Sequence, residues 1–160
     1  MTAIRLLYVS KFRSKIYSKS ELYEILTEAL KFNGANQIYG ALYYGNDYFV
    51  QCLEGQEDKV KHLFHDKILK DPRHENCEVL YLEKISTYLF SNWYMKYANI
   101  DQDIVKFFSK NHNDIFNPYL LNSSTIPPLI ELLSQHADNF SILKSKALIT
   151  SNPIWIKKLA

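Results

Sequence analysis

Apolar and polar positions alternate with period two in five short stretches and recur at helical spacing between and after them. Residues 4–10 read as a first strand, with Leu6, Tyr8 and Ser10 on one face and Leu7 and Val9 on the other. Residues 11–19 form a polar loop. Ser18 and Glu21 have the spacing of a capping box, and the helix they open carries the stripe Leu22, Ile25, Leu26, Ala29 and Leu30. Asn33 falls in phase with that stripe, and Gly34 supplies the helix stop. Residues 38–44 are a second strand, joined to a third at residues 47–55 by the hairpin signal Gly45-Asn46-Asp47. The third strand is apolar on both parities, as a strand buried on both faces would be, and Gly55 ends it. A second helix carries Val60, Leu63, Phe64 and Ile68 and stops before Pro72. Residues 78–85 and 93–97 complete the strands, with Trp93, Met95 and Tyr97 predicted on one face.

This order predicts an α+β fold of the ferredoxin-like sandwich type, βαββαββ, with a mixed five-stranded sheet and two helices on one face. In this reading the first and third strands are central, parallel neighbours, and the third also neighbours the fifth. Tyr8, Asn33 and Gln51 then converge between the helices and the sheet. The chain divides into a first unit, residues 1–98, and a helical extension, residues 99–160. Helices are expected at 101–111, 128–136 and 139–149, separated at Asn117-Pro118, Asn122-Ser123-Ser124 and Pro127-Pro128. Their apolar residues Ile104, Val105, Phe107, Phe108, Leu129, Leu132 and Leu133 need a surface, and the second sheet face, with Leu7, Val9, Val50 and Cys52, offers one. Residues 151–160 form a short, basic tail.

Gln51 does not fit a plain core strand, because its amide has two donors and an acceptor that must find partners once dry. Taken singly, Gln51, Tyr8 and Asn33 each have an ordinary structural explanation. Together they offer amide, phenol and amide to a planar polar heterocycle. Catalytic sets are poor: His62 and His65 lie in a charged helical region without a third metal ligand, and no serine has a recognisable His/Asp pairing. No enzyme activity is predicted. Within 160 residues, a net charge of +2 is too mild to imply nucleic acid. An apolar plus aromatic content this high (47% hydrophobic, 14% aromatic) supports a real core. Cys52 and Cys77 sit in apolar contexts without CxxC spacing, which favours free thiols in a reducing compartment. With no leader and no apolar run of spanning length, no membrane association and a cytoplasmic location are expected.

The stretch 4–98 resembles a BLUF domain, the flavin-binding blue-light sensor. The matching residues are Leu7-Tyr8-Val9-Ser10, Phe32-Asn33, Gly40-Ala41-Leu42-Tyr43-Tyr44, Phe49-Val50-Gln51-Cys52-Leu53-Glu54-Gly55, Asp71-Pro72-Arg73-His74 and Asn92-Trp93-Tyr94-Met95. The extension looks like that of short BLUF proteins lacking an enzymatic output domain. The resemblance implies FAD as cofactor, held by Ile25, Asn33, Phe49, Gln51, Lys67, Ile68, Asp71 and His74. It implies Tyr8, Ser10, Gln51, Trp93 and Met95 as the photoactive set, with Tyr8 supplying an electron and a proton through Gln51 and the amide left rearranged. It further implies signalling to a downstream protein, and leaves self-association open. Two departures stand out: Phe32 replaces the His that many relatives carry, and the second helix is one residue longer than in typical members. The alternative from the bare fold is a ferredoxin-like nucleic-acid-binding module without cofactor, although the central strands lack its basic-plus-aromatic pattern. A small acylphosphatase-type hydrolase would need a glycine-rich anion loop where this chain has Ser10-Lys11-Phe12-Arg13-Ser14.

Overall fold

Nine of the strand residues from Tyr48 to Gln56 form β3, the strand through which both layers of the core communicate. The computed structural model describes residues 2–13 and 19–140. Before β3 come β1 (Ala3–Phe12), α1 (Lys19–Asn36) and β2 (Tyr39–Gly45). After it come α2 (Glu57–His62, continuing as a π-helical segment, Leu63–Ile68), β4 (His74–Ile85) and β5 (Lys96–Tyr97). The C-terminal part holds α3 (Asp101–His112), a 3-10 turn (Pro118–Leu120) and α4 (Ile126–Gln135). The sheet order is β4-β1-β3-β2-β5. This is the expected α+β sandwich with a mixed five-stranded sheet.

The pairing corrects one expectation: β1 and β3 are antiparallel, with Tyr8 directly opposite Gln51. The crossover through α1 leaves β1 and β2 running the same way. β3 reverses out of β2 through a two-residue turn, with Asn46 at φ 50 and Asp47 at φ 64, so it must oppose both neighbours. Only β5 runs parallel to its partner, β2. A second correction follows, because β2 lies between β3 and β5, so Gln51 does not sit on a strand adjoining β5.

Each sheet face has its own core. Leu6, Tyr8, Leu42, Phe49 and Leu53 pack under Leu22, Ile25 and Leu26 of α1 and Val60 of α2, with Leu63 and Phe64 beside them. Leu7, Val9, Ala41, Val50 and Cys52 pack against Ile104 and Phe108 of α3, Phe116, and Leu129, Ile130 and Leu133 of α4. The C-terminal helices thus cover the second face as their apolar residues required. Val105 remains 42% exposed, while Phe107 and Leu132 are half-buried at the margin.

Local boundaries shift for identifiable reasons. α1 does not stop at Gly34 but runs to Asn36, and Gln37 takes the left-handed turn at φ 54 instead. The Ile38 N–H then donates to the Asn33 carbonyl, which caps the helix end. β3 continues past Gly55 to Gln56. The Ser18 half of the proposed capping box lies outside the described residues. So do residues 141–149 of the last expected helix and the tail at 151–160.

The loop between β4 and β5 is anchored by Glu54. Its buried carboxylate accepts from the backbone N–H of Leu89 (2.9 Å) and Phe90 (2.8 Å) and pairs with the Arg5 guanidinium at 2.6 Å. Removing it leaves a mostly buried cation and two N–H groups without their acceptor. Glu54→Ala is therefore expected to cost about 3–5 kcal/mol of stability, read as a lowered urea midpoint at unchanged m-value. A loss below about 1 kcal/mol would mean that water replaces the carboxylate freely.

Candidate functional site

Between α1 and the α2 segment lies a cleft of about 140 Å³ with Tyr8 and Gln51 at its floor. Ile25, Ala29, Phe32 and Asn33 form the α1 wall, and Leu63, Lys67 and Ile68 form the opposite one. Asp71, Arg73 and His74, from the link into β4, close the end.

The floor is a chain of three side chains. The Tyr8 hydroxyl donates to Gln51 Oε1, and Gln51 Nε2 donates to the Met95 sulfur at 3.4 Å. All three are buried. Burial pushes the Tyr8 phenol well above its ordinary pKa, so it remains a protonated donor. Thioether sulfur is a weak acceptor, so the second amide N–H of Gln51 is free for a better one presented from the cleft.

Asn33 carries the clearest signal of a missing partner. Its Nδ2 donates to the Tyr94 carbonyl at 2.8 Å. Its Oδ1 is buried and meets no hydrogen-bond donor among the described residues, and Asn33 is one of the residues that line the cleft. A buried carbonyl left so costs about 1–3 kcal/mol, which a ligand N–H entering the cleft would recover.

Trp93 and Met95 part company. The expected common face required a regular strand from 93 to 97, but only Lys96 and Tyr97 have strand geometry. Met95 lies in the helix-side core beside Gln51, whereas Trp93 packs at the margin of the other core, under the Lys96 ammonium. Ser10 sits one alternation from Tyr8 and is hydrogen-bonded through Oγ to His74 Nδ1 at 2.9 Å. Phe49 is fully buried below the cleft, with its ring 4.8 Å from that of His74. Of the expected holding residues, Ile25, Asn33, Gln51, Lys67, Ile68, Asp71 and His74 line the cleft, and Phe49 supports it from beneath.

The second helix, expected to be one residue longer than in typical members, contains a π-helical segment, with the Leu69 N–H bonding back five residues to the Phe64 carbonyl at 2.9 Å. In uninterrupted α-helix one inserted residue would turn everything after it by about 100°. The wider turn instead leaves Lys67 and Ile68 facing the cleft. Phe32 forms a lip there, with Lys67 Nζ 5.0 Å from its ring centre.

Five lining residues were not among the expected site residues, the apolar Ala29, Phe32 and Leu63 and the charged Glu28 and Arg73. Arg73 grips both oxygens of Asp71 (2.7–3.1 Å) and reaches Glu28 of α1 at 2.7 Å, tying the α1 wall to the closed end of the cleft. Arg73 stood inside the Asp71–His74 motif, and Glu28 lies one helical turn from Ile25, so both signals were present. Burial opposes ionisation of Asp71, yet the Arg73 guanidinium wins and holds its carboxyl below the usual range. His74 goes the other way: burial lowers it to about 4, only partly offset by Asp71.

The sequence profile of the BLUF family, described as sensors of blue-light using FAD, matches residues 3–96. A photoactivated adenylate cyclase subunit beta from Euglena longa is 34% identical over 98 residues, covering 61% of this chain and 11% of that protein. This chain therefore spans little more than a tenth of that curated relative. A solved structure described as BlsA in its photo-activated state is 38% identical, with a TM-score of 0.80 over 86% of this chain and 98% of the other. A bacterial light-regulated adenylyl cyclase is 30% identical, with a TM-score of 0.56 over 92% of this chain and 35% of the other.

The buried imidazole gives a pH test. His74 has a folded pKa depressed to about 4 from 6.5, so the unfolded chain binds the proton first. Stability should be level above pH 6.5 and fall by about 3 kcal/mol as pH drops from there to 4. Asp71, also depressed, adds its loss only below about pH 4. Denaturant titrations at pH 7.5 and 4.5 should differ for the parent chain and much less for His74→Gln. An equal drop in both would remove His74 as the cause.

Proposed function

This chain belongs to the BLUF family of blue-light sensors, and we propose that it binds FAD in the cleft between α1 and α2 and signals by protein–protein contact. The observation that carries the reading is the Tyr8–Gln51–Met95 chain beneath the unpartnered Asn33 oxygen. A bound flavin supplies the absorption of blue light and, once excited, an oxidant strong enough to draw on a nearby phenol. Asn33 Oδ1 would accept from the polar edge of the ring, and Gln51 would offer Nε2 to it. Ile25, Ile68 and Phe49 would exclude water, while Lys67, Asp71 and His74 would hold the outer edge of the ring and the sugar-phosphate side.

The rest is done by the chain itself. A proton leaving Tyr8 has its first acceptor at Gln51 Oε1. Rotation of the amide exchanges which end faces Tyr8 and which faces Met95 and the cleft, whereas tautomerisation leaves the atoms in place and exchanges their donor and acceptor roles. Both arrangements must satisfy their polar groups, since an unpaired buried one costs about 1–3 kcal/mol. Tyr8, Gln51 and Ser10 form the photoactive centre, with Met95 and Trp93 reporting its state to β5. Residues 1–98 act as the sensory unit and 99–160 as the output layer. No substrate is converted, and the product of the light reaction is a changed surface for a downstream protein.

The nucleic-acid reading loses its platform, because α3 and α4 bury the sheet face that bases would stack on. No helix among the described residues is long and apolar enough to cross a membrane, consistent with a proposed cytoplasmic site of action.

Purified protein should be yellow, release FAD rather than FMN on acid denaturation, and shift its flavin absorption reversibly to longer wavelength under blue light. Tyr8→Phe should keep the flavin and lose the shift. Protein that stays colourless after incubation with FAD and FMN would end the proposal, and a normal shift in Tyr8→Phe would remove Tyr8 from it.

A further inference from the structure

Lys96 is fully buried, and among the described residues its ammonium faces no carboxylate at bonding distance. Among the described residues its partners are of two other kinds. Nζ donates to the carbonyl of His136, just past the end of α4, at 2.7 Å. It also stands 4.2 Å from the centre of the Trp93 ring and 5.6 Å from that of Phe90. Burial lowers its pKa to about 8, with Asp138 partly opposing. A charge in this position holds only while the ring faces and the carbonyl stand in for water.

The position in the fold gives this contact its meaning. Met95, the preceding residue, touches Gln51. The segment 96–99 is joined to 136–139 by four hydrogen bonds: Lys96 Nζ to the His136 carbonyl, the Tyr97 N–H to Asp138 Oδ1, the Asn139 N–H to the Tyr97 carbonyl, and the Asn99 N–H to Asn139 Oδ1. The last three involve backbone donors whose geometry does not register where the Trp93 ring lies. The first is made by a side chain stacked on that ring.

We propose that Lys96 is the positioning residue that converts the packing of Trp93 into the hold of β5 on the C-terminal end of α4. When the ring leaves the ammonium, Lys96 must be solvated elsewhere and releases the His136 carbonyl. The 136–139 segment then depends on its remaining bonds to a two-residue strand, and it loosens. The light-dependent part of this inference rests on the photosensor reading; the coupling between Trp93 and Lys96 does not.

Amide hydrogen exchange at Tyr97 and Asn139 of the full chain tests both parts. In the dark, Lys96→Met and Trp93→Leu should each speed exchange there about tenfold. The double variant should be no faster than either single one, because both remove the same contact, and Lys96→Arg should stay close to the parent. Multiplying effects in the double variant, or unchanged exchange in Trp93→Leu, would overturn the proposal. Should Lys96→Met not fold, Trp93→Leu and Lys96→Arg still decide it. Under blue light the parent should gain exchange at these amides. Lys96→Met should keep the flavin shift but show no further light-driven gain. A gain of parental size in Lys96→Met would also overturn the coupling, whereas a parent with no flavin shift would count against the photosensor reading alone.

Discussion

Gln51 sits at the middle of a central strand, with Tyr8 directly opposite on one side and Leu42 on the other. A primary amide there cannot be ignored by its surroundings. It must be paired in a place that water does not supply, and the partners set the layout. Tyr8 occupies the strong contact, Met95 the weak one, and the cleft opens on the remaining side. A residue with a single good arrangement would be structural cement. One with a strong and a weak partner can exchange the weak one for a ligand, which is what the proposed switch requires.

The strand carrying Gln51 works through both of its faces. Phe49, Gln51 and Leu53 face the helices, while Val50, Cys52 and Glu54 face the other way. Glu54 grips the β4–β5 loop where Phe90 enters the second core, and Gln51 touches the same loop where Met95 enters the first. The loop thus passes from one core to the other, held to β3 near both ends. Trp93 and Met95 lie on opposite sides of that passage. For that reason, a period-two count across residues 93–97 placed them on one face and failed.

Most of the frame was legible because burial on one or both faces writes a period into the chain. The five strands, the hairpin turn, both helical stripes and the apolar cover of the second face could all be read from it. Convergence of Tyr8, Asn33 and Gln51 followed from parity and strand order. What periodicity does not encode is direction between strands that are distant in sequence, hence the mistaken parallel pairing of β1 with β3. It also does not show a side chain reaching across an intervening strand, as Gln51 does to Met95 past β2. The π-helical segment left no mark on the period, and the second helix was expected only to be one residue longer than in typical members. The Glu28–Arg73 bridge joins residues 45 apart, one on the α1 wall and one at the closed end of the cleft, a pairing that no local pattern announces.

Magnitudes indicate where such a switch can be read out. Rearranging one buried amide is worth about 1–3 kcal/mol. β1 and β3 are joined by nine registered residue pairs, and a change of that size cannot disturb them. β5 has two residues in strand geometry and two registered pairs with β2. A bias of 1–3 kcal/mol is comparable to what holds so short an element, and local openings of that cost are where proteins place their moving parts. β5 is also the element to which residues 136–139 are tied. The shortest strand of the sheet therefore lies between the amide and α4, and in the proposed function its shortness would let a single hydrogen-bond exchange matter beyond the cleft.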